Sequence, residues 1–89
     1  MFYFYIFRCN DGALYCGSTN ELIQRQNRHN AGLGARYTKI HGGGKMVYSE
    51  KFTTLTEAMR RETQVKKWSR IKKDNLINGI KPLGLRHSG

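Results

Sequence analysis

Residues 2–7 read Phe-Tyr-Phe-Tyr-Ile-Phe, an unbroken aromatic and β-branched run. With no polar residue to face water, the run predicts a strand covered on both faces. Asn10-Asp11-Gly12 is a hairpin signal, and Ala13 to Gly17 is the short return strand. Asn20 suits a helix N-cap, with Glu21 favourable in the first turn. That helix is expected to reach about Ala31 and to end at Gly32. Two glycine clusters, Gly32-Leu33-Gly34 and Gly42-Gly43-Gly44, bracket a basic and aromatic segment, Ala35 to His41, read as a loop with at most one helical turn. Lys45 to Phe52 resumes as a third strand. Thr54-x-x-Glu57 is a capping box opening a helix to about Trp68, and Ser69 caps a last short helix ending near Asn78-Gly79. Lys81-Pro82 then stops regular structure. The order β-β-α-β-α-α predicts a small α/β protein of the α+β kind, a three-stranded antiparallel sheet flanked by helices.

The hairpin register stays open at this level. A two-residue Asp11-Gly12 turn pairs Arg8 with Tyr15 and sends Tyr5 and Tyr15 to opposite faces. A three-residue Asn10-Asp11-Gly12 loop, with Gly12 left-handed, pairs Phe7 with Tyr15 and puts both tyrosines on one face. Local propensity alone prefers the shorter turn.

Eighty-nine residues make one domain, expected over residues 1–80, with a basic tail at 81–89. An apolar fraction of 38% and ten aromatics can fill one thin core. Sixteen Lys and Arg against six Asp and Glu leave a net charge of +10. Such an excess makes a broad positive potential whose usual partner is a polyanion, nucleic acid before an anionic membrane surface. The longest apolar run falls far short of the roughly 18–20 residues that cross a bilayer. Cys9 and Cys16 are too few for a disulfide scaffold or a four-ligand zinc site, and they read as free thiols in a reducing cytoplasm.

One position in the Thr54 helix breaks its pattern. Leu55, Ala58, Met59 and Val65 form an apolar stripe, and Glu62 falls inside it. A carboxylate there needs a cation or hydrogen-bond donors. From this helix alone the favoured account is an ion pair with Arg61 or Lys66. The sharper account is a metal ligand, because one carboxylate with waters and phosphate oxygens is how Mg²⁺ is commonly held. On the first helix Arg25 and His29 are four apart and share a face. A guanidinium fork suits a phosphate, and a histidine can move a proton. By themselves they are better explained as part of a solvated polar face with Gln24, Gln26, Asn27 and Arg28. Further on, Arg60, Arg61, Lys66, Lys67, Arg70, Lys72 and Lys73 crowd seven cations into fourteen residues with Glu62 as the lone acid. That density suits phosphate contact, and Trp68 among them reads as a core anchor. Gly42-Gly-Gly-Lys45 lacks the spacing of a phosphate loop, and His29, His41 and His87 lack metal-ligand spacing.

The ordered set of Tyr5, Tyr15-Cys16-Gly17, Arg25, His29 and Glu62 resembles the GIY-YIG nuclease domain over about residues 2–78. Tyr3-Phe4-Tyr5 stands at the first triplet, and Tyr15-Cys16-Gly17 follows after nine residues. Arg25 and His29 match the family's Arg-x-x-x-His helix. Ala58 to Trp68 is similar to the small, stand-alone bacterial members. The departures are Tyr3 for Gly, Phe4 for Ile and Cys16 for Ile, with Asn75 the candidate for a late asparagine. The resemblance implies hydrolysis of phosphodiester bonds with one Mg²⁺ or Mn²⁺ held by Glu62. Arg25 would clamp a phosphate oxygen, and Tyr15 or Tyr5 would deprotonate the attacking water with help from His29. A phenol near pKa 10 is a poor base at neutral pH, so the positive site is expected to lower it or to relay its proton. The resemblance also selects the three-residue hairpin loop.

Nucleic-acid contacts are then expected from Arg36, Tyr37 and Lys39 and from the seven cations of the later helices. The first function so implied is a structure-selective or weakly specific DNA endonuclease in repair or recombination, with DNA favoured over RNA. No base-reading element is visible, so a protein partner or a branched, nicked or single-stranded substrate is expected to supply selectivity. The competing function is a non-catalytic module binding structured RNA or DNA. A membrane-surface role is the weakest, for want of a basic amphipathic helix with a strong apolar face.

Overall fold

The computed structural model of the chain describes residues 1–79. Seven elements follow in order: β1 (Phe2–Cys9), β2 (Leu14–Thr19), α1 (Leu22–Asn30), α2 (Arg36–Ile40), β3 (Gly44–Phe52), α3 (Leu55–Lys66) and α4 (Arg70–Ile77). The sheet is antiparallel with strand order β2-β1-β3, so the apolar run sits in the middle. The segment read as a loop holds a five-residue helix, α2. The basic tail expected at 81–89 lies outside the described residues.

Alternation along β1 divides the interior in two. Phe4 and Ile6 face one side and pack with Cys16, Val65 of α3, and Trp68, Leu76 and Ile77. Tyr5, Phe7 and Cys9 face the other and pack with Leu22 of α1, Tyr15 and Met46. Phe4, Tyr5, Ile6 and Phe7 are all fully buried. An unbroken hydrophobic strand is therefore what the sheet needs at its centre. Both cysteines are free and buried, and burial pushes both thiols up. Among the described residues no helix is long and apolar enough to cross a membrane.

The hairpin takes the longer loop, against local propensity. Phe7 pairs with Tyr15 and Tyr5 with Gly17. Gly12 adopts φ +91°, its N–H donates to the Cys9 carbonyl at 2.9 Å, and Cys9 N–H donates to Ala13 O at 2.8 Å. The shorter turn would have turned Tyr15 away from Tyr5, and packing both on one side of β1 goes with the observed register.

Three other expectations change. Asn20 does not cap α1. Glu21 is the N-cap residue without a side-chain bond, and its N–H donates to Thr19 Oγ1 at 3.1 Å. The threonine hydroxyl closes this turn, leaving Asn20 exposed. The polar face of α1 is also not simply solvated. Gln26 Oε1 accepts from Met46 N–H and Asn30 Oδ1 from Gly44 N–H, both at 2.7 Å, which ties the helix to β3. The apolar stripe of α3 is only half core, since Ala58 and Val65 are buried while Leu55 and Met59 are 44% and 51% exposed. The Thr54–Glu57 capping box and the Ser69 cap form as expected.

Candidate active site

The α1 side of the sheet builds a closed aromatic cluster. Tyr5 and Tyr15 have ring centroids 6.3 Å apart, and His29 of α1 lies 4.7 Å from Phe7, 5.4 Å from Tyr15 and 6.0 Å from Tyr5. His29 is 1% exposed and both ring nitrogens are bonded. Thr38 donates its hydroxyl proton to Ala35 O at 2.8 Å, so it can only accept from His29 Nδ1 at 2.7 Å. This network assigns the proton to Nδ1, and Nε2 then accepts from the Tyr5 hydroxyl at 3.0 Å. Burial first, then Arg25 and Arg28, holds His29 below its ordinary pKa, which keeps it neutral in this chain. Close approach needs two glycines: a Cβ at Gly17 would overlap the Tyr5 hydroxyl, and one at Gly34 would overlap the His29 ring.

The expected lowering of the tyrosine pKa does not occur at Tyr5. Burial raises this phenol strongly, Tyr15 adds to the rise, and Arg25 opposes it only in part. A fully buried hydroxyl that donates to a neutral imidazole is stabilised in its protonated form.

The opposite side presents charge. Ser18 follows Gly17 on β2, so alternation turns it toward α3. Its hydroxyl donates to Glu62 Oε1 at 2.7 Å, and Lys66 Nζ lies 2.7 Å from Oε2. Glu62 thus has the Lys66 partner expected of it while also opening onto a cleft of about 430 Å³. Phe2, Ser18, Thr19, Asn20, Arg25, Leu55, Met59 and Glu62 line that cleft. Arg25 comes from α1 and Glu62 from α3, on opposite faces of the sheet. Both line the cleft where edge strand β2 ends and α1 begins. Arg25 and Glu62 both act electrostatically on the Tyr5 phenol, which joins the closed cluster to the open cleft.

Among the described residues no three His, Cys, Asp or Glu side chains converge as a metal cage. The donor set is one recessed carboxylate, a hydroxyl bonded to it, and room for waters and a phosphate. That set suits Mg²⁺ or Mn²⁺, which keep several waters and need few protein oxygens. Glu62 would be the ligand.

The sequence profile of the GIY-YIG catalytic domain matches residues 1–75. The chain belongs to the GIY-YIG family. It is 44% identical over 79 residues to a UPF0213 protein of Bacillus pumilus, covering 89% of this chain and 81% of that one. It is 46% identical over 76 residues to a UPF0213 protein of Staphylococcus saprophyticus, covering 85% of this chain and 93% of that one. A UPF0213 protein of Bacillus halodurans, solved by solution NMR, matches with a TM-score of 0.56 and 37% identity over 99% of this chain and 94% of that one. GIY-YIG domains are nuclease domains, so the Arg25–Glu62 cleft is the place to look for nuclease chemistry in this chain.

The basic residues of this GIY-YIG domain fall into distinct groups. Arg36 and Lys39 of α2 line a shallow groove with Gly32, Gly34 and Ile40. Tyr37 packs on Tyr15 at 5.9 Å and on His41 at 4.4 Å, which places it at the rim of the aromatic cluster. Arg60 and Lys67 are exposed and Lys73 is half-buried. Four of the later cations are engaged within the protein. Arg61 clamps Glu50 at 2.9 and 3.0 Å, Lys66 meets Glu62, Arg70 pairs with Asp74 at 3.2 Å, and Lys72 sits 4.3 Å over Trp68. Counting acids within the helical stretch alone missed Glu50, which arrives from β3. Ser18 and Thr38 were not singled out from the sequence either. Ser18 had a signal, since it follows the Tyr-Cys-Gly triplet at the position alternation turns toward α3. Thr38 had none, because its partner lies nine residues away across the Gly32–Gly34 turn.

Proposed function

We propose that this chain is a divalent-metal-dependent endonuclease that hydrolyses phosphodiester bonds in DNA. The observation that carries this reading is the meeting of Arg25 and Glu62 in one cleft, delivered by two helices on opposite faces of the sheet. A binding module needs cations on its surface. It has no use for a recessed carboxylate beside a guanidinium.

Arg25 is suited to grip a non-bridging phosphate oxygen through charge-assisted hydrogen bonds that strengthen as negative charge develops. Glu62 would hold the Mg²⁺ or Mn²⁺, whose chemistry is to polarise the phosphate and stabilise the leaving oxygen. Tyr15 is the half-exposed member of the tyrosine pair and acts electrostatically on both Tyr5 and Lys66. It is the better candidate to orient the attacking water. Tyr5 and His29 are positioning residues in this scheme: Tyr5 is held protonated against His29, and His29 is held by Thr38, which fixes the wall behind Tyr15.

Arg36, Lys39, Arg60, Lys67 and Lys73 are suited to follow the phosphate backbone on either side of the cleft. The choice of DNA over RNA rests on the family resemblance, because backbone contacts accept either. Weak sequence specificity, a branched or nicked substrate, a selectivity-conferring protein partner, and a cytoplasmic role in repair or recombination complete the proposal.

The test is a gel assay of labelled branched, nicked, single-stranded and duplex DNA and structured RNA, with Mg²⁺ or Mn²⁺. Wild type, Glu62→Ala and Arg25→Ala are compared, with binding measured in parallel. The expected result is metal-dependent cutting of DNA that Glu62→Ala abolishes while affinity stays within about threefold. Wild type that binds but cuts nothing with either metal would favour the binding module. Cutting that survives in Glu62→Ala would remove Glu62 from the site.

A further inference from the structure

Two unlike groups hold the Glu62 carboxylate. Ser18 reaches Oε1 from the penultimate position of edge strand β2, where its residue pairs with Phe4. Lys66 reaches Oε2 from the next turn of the same helix. The serine hydroxyl is one bond from a backbone held in the β1–β2 ladder, so it can turn about a single torsion but its carbon stem cannot move away. The lysine can: its side chain is 51% exposed on a flexible four-carbon stem, whereas that of Glu62 is 18% exposed. Oε2 is therefore the oxygen whose partner is exchangeable. A carboxylate this recessed is stabilised by a counter-charge. Arg25 lines the same cleft, but Lys66 is the cation that forms the ion pair with Glu62, while Arg61 is clamped by Glu50 and Arg70 by Asp74.

We propose that Lys66 is a built-in counter-ion of Glu62 which a divalent cation must displace. Cation entry and Lys66 release are then one exchange, with Ser18 holding Oε1 throughout. The inference rests on the reading of Glu62 as the cation ligand and specifies how that site is kept before the cation arrives. Lys66 also lies close enough to Tyr15 and Cys16 to feel both electrostatically. Because a cation binds only the fraction of molecules whose Oε2 is open, the pair weakens apparent cation affinity by the inverse of that fraction. A pair closed in about 80–90% of molecules gives a five- to tenfold weakening.

The experiment titrates Mn²⁺ into the ¹⁵N-labelled full chain and reads paramagnetic broadening at the Ser18 and Glu62 amides. Wild type is compared with Lys66→Met, Lys73→Met and Glu62→Gln. Lys73 is the charge control, because it acts on Cys16 as Lys66 does yet makes no bond to Glu62. Lys66→Met is expected to tighten Mn²⁺ binding about five- to tenfold, Lys73→Met by less than twofold, and Glu62→Gln to abolish the local broadening. In wild type, saturating Mg²⁺ is expected to move the Lys66 side-chain resonance to that of a solvated lysine. Equal effects of Lys66→Met and Lys73→Met, or a Lys66 resonance indifferent to saturating Mg²⁺, would overturn the exchange and leave the cation site standing. No local broadening in any variant would overturn the cation site, and the exchange with it.

Discussion

The two faces of the sheet solve opposite problems within a few residues of each other. On the α1 face, Tyr5, His29 and Thr38 form a closed chain of neutral hydrogen bonds in which every proton has one place to go. On the α3 face, Glu62 is charged, open to a cleft, and held by one fixed and one movable partner. The closed side can supply rigidity and no titration near neutral pH. The open side has the carboxylate and the room that the proposed cation exchange needs, with the closed cluster behind it. Edge strand β2 serves both, because alternation sends Tyr15 and Gly17 to one face and Ser18 to the other. One strand thus couples a site that must not move to a site that must.

The largest expected effect comes from disabling the open side while leaving the closed side intact. Glu62→Gln retains an oxygen for Ser18 but loses the charge. Single-turnover cleavage is expected to fall by roughly 10²–10³-fold, while the melting temperature moves by only a few degrees. A large drop in melting temperature would mean that Glu62 is a structural ion pair first.

Breaking the closed side should do the reverse. His29→Ala leaves the Tyr5 and Thr38 hydroxyls without their partner and opens a cavity beside Phe7, which should cost about 3 kcal/mol in urea unfolding. Gly34→Ala drives a methyl group into the fixed His29 ring and should cost about 1–3 kcal/mol. If both variants unfold like wild type, the hydrogen-bond chain does not hold the fold.

The pH dependence sharpens the same contrast. The unfolded chain takes up a proton at His29 near 6.5, whereas the buried ring resists it. The unfolded state therefore binds more protons, and stability rises with pH across this window. The His29 contribution is complete above about pH 6.5 and is lost as pH falls toward the depressed folded-state value. Urea midpoints measured from pH 7.5 to 5 should fall for wild type and flatten for His29→Gln. An equal slope in both would assign the titration to another group.

The smallest effects separate paired from unpaired cations. Arg61→Ala removes a half-buried two-point clamp on Glu50 and should cost about 1 kcal/mol of stability. Arg60→Ala should leave stability unchanged, weaken DNA binding about twofold, and lower the salt slope by nearly one unit. Identical salt slopes for Arg60→Ala and wild type would remove Arg60 from the nucleic-acid path.

Much of the fold was legible because its signals are local. The Thr54–Glu57 capping box, the Ser69 cap, the Gly32 helix end and the central position of the Phe2–Phe7 run all depend on residues within a few positions of one another. The same reading failed at Asn20, where a threonine one residue earlier took over the turn. It also failed in the hairpin, where local propensity favoured the wrong turn and only the family resemblance selected the observed register. The candidate site residues were nominated as an ordered set by the family resemblance, and their burial and partners were not. Tyr5 looked like a base to be activated and lies buried with its proton secured. Lys66 was considered as a phosphate contact and as a partner that would make Glu62 ordinary, and the pair and the open cleft coexist.

The resemblance to GIY-YIG domains nominated the candidate site residues; the chain's own pattern specified a basic α+β protein and its element order. These follow from periodicity, caps and charge, which are carried by neighbours along the chain. Folding decided which partner meets each of those residues: Thr38 for His29, Ser18 for Glu62, Glu50 for Arg61. Those choices set burial, protonation and which cations stay available, and each joins segments that no local rule connects. The strand β2 makes the point most simply. Its sequence fixes that successive side chains alternate, but only the packing of α1 on one face and α3 on the other turns that alternation into a cleft.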